Sequence, residues 1–169
     1  QSAAGGRKAL FALDNLWDGI GGLIATDPTV KYLSGKVTIY STSPEMSRKA
    51  MVYYLDMSFG DREGLITSKN PETCTPEQIA FFKELFTGAD YKENYAILNN
   101  YVKSLGDSIP PFIHLYIGLS PTMKTFGTTF DPDFGDCYDT AMIITTDDIY
   151  PDKYKRYVES YEKCKVRKG

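Results

Sequence analysis

The tightest constraint on this chain lies between residues 36 and 60, where a strand pattern runs straight into a helix start. Within Lys36 to Ser41, Val37-Thr38-Ile39-Tyr40 alternates β-branched and polar side chains in the manner of a half-buried strand. Ser43-Pro44-Glu45 follows at once. Ser43 suits an N-cap, Pro44 fits the first helical position where a missing N–H does no harm, and Glu45 favours the positive end of a helix. The pattern predicts a helix that runs to Phe59 and is stopped by Gly60. A helix is also expected ahead of the strand, and the order helix, strand, helix predicts α/β layering in place of a bundle.

That leading helix is read from Arg7 to about Ala25. Leu10, Phe11, Leu13, Leu16, Trp17, Ile20, Leu23 and Ile24 cover most of its circumference and leave Asp14, Asn15 and Asp18 as the polar side, the pattern of a buried helix. Gly19, Gly21 and Gly22 each weaken a helix by roughly 1 kcal/mol relative to Ala. Either a close approach by another backbone or a ligand accounts for them, or the helix ends early. Asp27-Pro28 terminates the element. In front of the helix, Gly5-Gly6 reads as a turn feeding its N-terminus, where unpartnered N–H groups and the charges of Arg7 and Lys8 make a candidate anion site. The same residues also fit a flexible start with ordinary surface cations.

Length and composition narrow the classes. A chain of 169 residues with 42% hydrophobic and 14% aromatic side chains suits one globular domain with its own core. The net charge of -3 provides no broad basic field for nucleic acid, although Pro151 to Gly169 is locally basic. Cys74, Cys137 and Cys164 are an odd number at wide spacing, which builds neither a zinc site nor a disulfide framework and suits a reducing, cytoplasmic setting. No apolar run approaches the roughly 20 residues that span a bilayer, and no signal peptide is recognisable. The chain lacks an initiating Met and reads as a processed product or a piece of something longer.

Further along, Asp61 to Thr73 reads as a loop. Thr75-Pro76-Glu77-Gln78 and Asp90-Tyr91-Lys92-Glu93 carry capping-box spacing and predict helices over Pro76 to Thr87 and Tyr91 to Leu105, packed as a pair and closed by Gly106. The sole histidine, His114, has no Ser, Cys or Asp at a useful spacing and reads as structural. Strands are expected over Lys124 to Phe130 and Ala141 to Thr146. The joint between them is rich in carboxylates, but an EF-hand counted from Asp131 would meet Asp136 and Met142 where Gly and Glu are needed, so a turn held by Asx-type bonds is predicted and no metal site. The acidic neighbours of Cys137 raise its pKa and argue against thiolate chemistry. The last helix, Pro151 to Lys165, repeats tyrosine at Tyr150, Tyr154, Tyr157 and Tyr161. Its basic, aromatic faces fit a membrane surface or an acidic carrier protein, or else its tyrosines pack on the domain. Tyr53 and Tyr54 sit on the central helix, where a tyrosine serves as a general acid in a suitable pocket or, more commonly, as a core or rim aromatic.

Three stretches carry a family resemblance: Ala9-Leu10-Phe11-Ala12-Leu13-Asp14-Asn15-Leu16-Trp17-Asp18-Gly19-Ile20-Gly21, Tyr32-Leu33-Ser34-Gly35-Lys36-Val37-Thr38-Ile39, and Phe126-Gly127 with Asp131-Pro132-Asp133-Phe134-Gly135-Asp136-Cys137-Tyr138-Asp139. Together they resemble the GNAT-type acyltransferases labelled as hemolysins, among them the ornithine lipid N-acyltransferases. The resemblance implies an α/β fold with a GNAT-like mixed sheet flanked by helices, one domain over residues 1–169 with a helical insertion over 61–122, and N-terminal strands missing. It implies transfer of a 3-hydroxy fatty acyl group from acyl carrier protein or coenzyme A to the amine of an amino acid, ornithine or glycine, in membrane aminolipid synthesis. The acyl-phosphopantetheine thioester is then a co-substrate and no cofactor is held permanently. The implied partners are acyl carrier protein and the amino-acid acceptor, with peripheral contact at the inner face of the membrane and no nucleic acid. By the same resemblance Gln1, Gly5, Gly6, Arg7 and Lys8 correspond to the loop that grips the donor, and Tyr53 or Tyr54 protonates the leaving thiolate. The general base falls outside this chain. The competing reading is a non-catalytic module that binds lipid or membrane through the tyrosine-rich last helix.

Overall fold

The computed structural model describes residues 3–161, with side chains from residue 15 onward. The first helix, α1, spans Ala3–Thr26. Gly5, Gly6, Arg7 and Lys8 are therefore helical backbone and not a turn ahead of it, and the two alanines before the glycine pair are the residues that best sustain a helix there. Gln1 lies outside the described residues. Nor is α1 buried all round. Trp17, Gly21 and Ile24, spaced four and three apart, form its buried stripe, while Leu16 and Leu23 remain 49% and 55% exposed.

The glycines of α1 divide by what faces them. A side chain at Gly21 would collide with the backbone carbonyl of Tyr157, whereas the space beside Gly19 is open. A Cβ at Gly22 would lie 3.4 Å from the Tyr161 ring, an ordinary contact. Close backbone approach is thus the reason for Gly21, and early termination is not, because the helix continues to Thr26.

Strand β1 covers Tyr32–Tyr40, longer than its β-branched stretch. Tyr32, Leu33, Ser34 and Gly35 join it because they pair with Thr145, Ile144, Ile143 and Met142 across the sheet, and that pairing overrides the weak local propensity of Gly35. Helix α2 spans Glu45–Phe59, and its N-cap position is Pro44, with no side-chain cap. Ser43 does not cap it; its N–H closes a turn onto the Tyr40 carbonyl at 3.0 Å. At the other end the Gly60 N–H bonds the Asp56 carbonyl. Its φ of -56° is ordinary, and glycine is needed for room, since a Cβ would lie 2.5 Å from the Asp56 oxygen.

Helices α3 (Pro76–Leu85) and α4 (Tyr91–Ser104) begin at the expected caps. Thr75 and Gln78 exchange both bonds of a capping box. Asp90 accepts from the Lys92 and Glu93 N–H groups, but Glu93 reaches back to Ala89 instead of Asp90. Both helices pack on α2, through Tyr53–Phe82 at 5.3 Å and Tyr54–Tyr95 at 6.0 Å, and meet each other through Phe81–Tyr101 at 5.7 Å. A short helix, α5, follows over Pro111–Ile117.

Strands β2 (Lys124–Asp131) and β3 (Cys137–Thr145) complete an antiparallel sheet ordered β1-β3-β2. β3 begins at Cys137, ahead of Ala141, because its first residues are paired on both sides. Between the strands, the Asp133 N–H bonds the Asp131 carboxylate at 3.1 Å, the expected Asx turn. One sheet face carries Val37, Ile39, Met142 and Ile144 into the core with Ala50, Met51, Tyr54 and Leu55 of α2. The opposite face is polar: Asp139 accepts from Lys36 at 2.5 Å and from Thr38 at 2.6 Å. Helices flank a sheet, so the α/β expectation holds.

Helix α6, Pro151–Tyr154, runs into a π-helical turn over Lys155–Glu159. Residues 162–169 lie outside the described residues, and with them the expected continuation to Lys165 and Cys164. Tyr157 is buried, Tyr150 bonds the Tyr91 hydroxyl, and Tyr161 rests on Gly22, so these three tyrosines pack on the domain. Among the described residues no helix is long and apolar enough to cross a membrane.

The two glycine environments predict opposite outcomes. Gly19→Ala should stabilise the fold by up to about 1 kcal/mol through helix propensity, and Gly21→Ala should destabilise it by about 1–3 kcal/mol through overpacking. Thermal melts of both variants check this, and shifts of the same sign would contradict the contact with Tyr157.

Candidate active site

Tyr53 and Tyr54 are neighbours in sequence, but a helix turns successive residues about 100° apart, and the two rings meet different surroundings. Tyr54 is fully buried, and its hydroxyl donates to the Tyr91 carbonyl at 2.8 Å. Burial holds its phenol far above the usual tyrosine range. Tyr53 stacks on Phe86 at 5.9 Å and lies 5.3 Å from Phe82 while lining a cavity of about 400 Å³. Of the pair, Tyr53 is the one a ligand can reach.

This cavity lies between α2, β2 and the segment that leads into α3, with Val52, Leu55, Pro71, Ile79, Thr128 and Thr140 in its wall. A bulge in β2 shapes it. Thr125 opposes Met142 and Thr128 opposes Thr140, so three steps along β2 match two along β3, with Gly127 at a φ of 81° inside the irregularity. The bulge turns Thr125 and Thr128 to the same side, where an unbroken strand would place them on opposite faces. Thr125 donates to the Leu55 carbonyl at 3.3 Å, and the Thr128 and Thr140 hydroxyls bond each other at 2.7 Å.

The outer wall is pinned by Glu72. Its N–H donates to the Thr128 carbonyl at 2.7 Å, and its carboxylate meets Lys49 at 2.7 Å and Arg48 at 3.5 Å. Lys49 also donates to the Thr73 carbonyl, and Arg48 lies 4.2 Å from the centre of the Tyr138 ring. Burial pushes the Cys74 thiol up, with Glu72 and Asp56 adding to the effect and Lys49 opposing it. Burial, then Cys74 and Asp56, raise the Tyr53 phenol. Both groups therefore keep their protons at neutral pH.

The remaining sequence candidates fall elsewhere. The side chains of Arg7 and Lys8, and all of Gln1, lie outside the described residues. Gly5 and Gly6 sit in the first turns of α1, and the first four N–H groups of a helix have no partner within it. His114 packs at a tilt against Tyr95, ring centres 5.6 Å apart, beside a second cavity of about 420 Å³, which Tyr91, Lys92 and Tyr150 also line. Burial, ahead of Asp139 and Asp131, raises the Cys137 thiol. Among the described residues no group of three or more His, Cys, Asp or Glu side chains could hold a metal. Glu72 was not legible as a site residue, since its partners lie more than twenty residues away and no motif links them.

Comparison with known proteins points to a class, the enzymes that acylate an amine. The chain is 43% identical over 164 residues to a protein named glycine N(alpha)-acyltransferase from Phocaeicola vulgatus, an alignment covering 96% of this chain and 50% of that relative. It is likewise 43% identical over 164 residues to a protein of the same name from Bacteroides thetaiotaomicron, covering 95% of this chain and 48% of the relative. The chain spans about half the length of the curated relatives it matches. No protein-family profile matches it, and no solved structure matches it. The similarity supports an acyltransferase.

Two outcomes follow from this geometry. Glu72→Ala should cost about 2–4 kcal/mol because it strands two mostly buried cations, whereas Lys49→Ala leaves Arg48 to neutralise Glu72 and should cost less; urea midpoints check the order, and equal losses would contradict it. A tyrosine whose folded pKa is raised contributes stability that is complete below its unfolded pKa of about 10 and declines as pH rises beyond it. Wild-type stability should therefore fall more steeply above pH about 10 than that of Tyr54→Phe, measured by alkaline denaturant titration. A Tyr54→Phe curve as steep as wild type would contradict the assignment.

Proposed function

We propose that this chain is part or all of an N-acyltransferase that moves a fatty acyl group from an acyl-phosphopantetheine thioester to the amine of glycine, in the synthesis of a membrane aminolipid. The observation that carries this reading is the 43% identity sustained over 164 residues to relatives named glycine N(alpha)-acyltransferase. A reachable cavity beside Tyr53 supports it. In the reaction the neutral amine attacks the thioester carbonyl, a tetrahedral oxyanion forms, the C–S bond breaks, and the leaving thiolate takes up a proton while the nitrogen loses one. Tyr53, kept protonated, is suited to donate a hydrogen bond to the oxyanion or to the departing sulfur. The N–H groups at the start of α1 that find no partner within the helix, with Gln1, Gly5, Gly6, Arg7 and Lys8, are the proposed grip on the donor. The donor is coenzyme A or acyl carrier protein, and the protein works in the cytoplasm at the inner face of the membrane.

Purified gene product incubated with acyl-coenzyme A or acyl carrier protein thioester and glycine should yield N-acylglycine by mass spectrometry, with release of free thiol. Tyr53→Phe should lower kcat by about 10²-fold. Tight binding to liposomes with no transfer to glycine or ornithine would overturn the enzyme in favour of a lipid-binding module.

A further inference from the structure

We propose that the second cavity, enclosed by α4, α5 and the start of α6, is a binding site for a nucleotide, a flat aromatic ring system that carries a sugar and a phosphate. The inference goes beyond the acyltransferase reading and stands without it. This cavity shares no lining residue with the one beside Tyr53. Helix α2 connects the two, with Tyr53 in the wall of one and Tyr54 packed against Tyr95 of the other at 6.0 Å.

The walls supply flat surfaces. Tyr91 and Tyr95, four residues apart, lie on one face of α4, and His114 of α5 and Tyr150 at the head of α6 meet them there. The Tyr95 and His114 rings have their centres 5.6 Å apart, and the Tyr91 and Tyr150 hydroxyls bond each other. At about 420 Å³ the space falls within the range of small-molecule sites, about 300–1,000 Å³. Walls of this kind hold a planar ligand by offset or edge-on ring contacts. A saturated chain would leave the polar ends of these rings unmet.

Lys92 sets the charge of the occupant. Its Nζ lies 5.6 Å from the centre of the Tyr150 ring and 5.8 Å from that of Tyr91, and no carboxylate among the described residues comes within ion-pair reach of it. A cation already sits over both rings, so a second cation is repelled and an anion is drawn in. Donors accompany that charge. The Tyr91 and Tyr150 pair uses only one of its two protons internally, and neither the Tyr95 hydroxyl nor the His114 imidazole bonds another described residue. Several donors around one ammonium match the three acceptor oxygens of a phosphate. Asp152 is the one acidic residue in the lining, and it is exposed. A carboxylate only accepts, so it calls for donors on the ligand itself. Ribose hydroxyls supply them, and a plain aromatic carboxylate does not.

Calorimetric titration of the purified chain with adenosine monophosphate, adenosine, benzoate and inorganic phosphate tests the proposal. Adenosine monophosphate should bind at least about 10-fold more tightly than any of the other three. Lys92→Met, at an exposed position, should weaken adenosine monophosphate by about 10-fold and leave adenosine unchanged. His114→Ala, also exposed, should weaken both by about 3- to 10-fold. Circular dichroism confirms that each variant is folded. Absence of binding, adenosine monophosphate held no better than phosphate, or affinity unchanged in both variants would overturn the site. Benzoate bound as tightly as adenosine monophosphate would overturn the nucleotide in favour of a simple aromatic anion. Coenzyme A bound more tightly than adenosine monophosphate, and weakened by Lys92→Met, would give the cavity to the acyl donor and overturn a separate site. The expected pattern in a protein that transfers no acyl group upholds the cavity and removes the enzyme reading, and transfer without nucleotide binding does the reverse.

Discussion

The candidate site depends on Glu72. A loop without regular structure cannot by itself hold the wall of a cavity, because its backbone has few cooperative bonds to resist opening. Glu72 supplies the missing connections by joining three parts of the fold: its N–H to the β2 backbone, its carboxylate to Lys49 and Arg48 of α2, and its chain to the loop. Buried ion pairs contribute little net stability, since desolvation offsets attraction. What this one fixes is position. Lys49 reinforces it by donating to the Thr73 carbonyl, so two successive loop residues are tied to one lysine.

The second determinant is the bulge in β2. Side chains alternate along a strand, and a three-residue step from Thr125 to Thr128 would ordinarily reverse the face. The irregularity at Phe126-Gly127 cancels the reversal, and both threonines join Thr140 and Met142 on the buried side. The wall of the cavity is thereby lined with small hydroxylated side chains in place of bulky ones. Room for a ligand and polar capacity inside that room have the same cause.

Much of the fold was legible in the sequence where a local rule had a local reason. Thr75 and Asp90 cap because the groups they bond lie two or three residues away. Gly60 stops α2, the Asx turn forms after Asp131, and Gly21 marks a close backbone approach. Local rules failed where distant contacts decided. Ser43 has capping chemistry but is drawn into a turn with Tyr40, and Tyr32 to Gly35 become strand only because β3 lies beside them. Leu16 and Leu23 extend an apolar pattern around α1 that the fold buries on one side only. Of the candidate site, Tyr53 was legible as a residue type on a helix. Glu72 and the bulge were not, because each is defined by partners far away in the chain.

The electrostatics of the wall limit what it can do in a reaction. Attack by an amine on a thioester needs a group that accepts a proton and a group that stabilises negative charge. Burial raises both Tyr53 and Cys74, so neither accepts a proton at neutral pH and Cys74 does not compete as a nucleophile. Glu72 is occupied by two cations. Apart from Asp56, which faces Arg62 at 3.7 Å, the wall therefore donates hydrogen bonds more readily than it removes protons. With the phenol of Tyr53 fixed by its stack on Phe86 as a donor of defined direction, such a wall orients what it contacts and leaves proton removal to other groups.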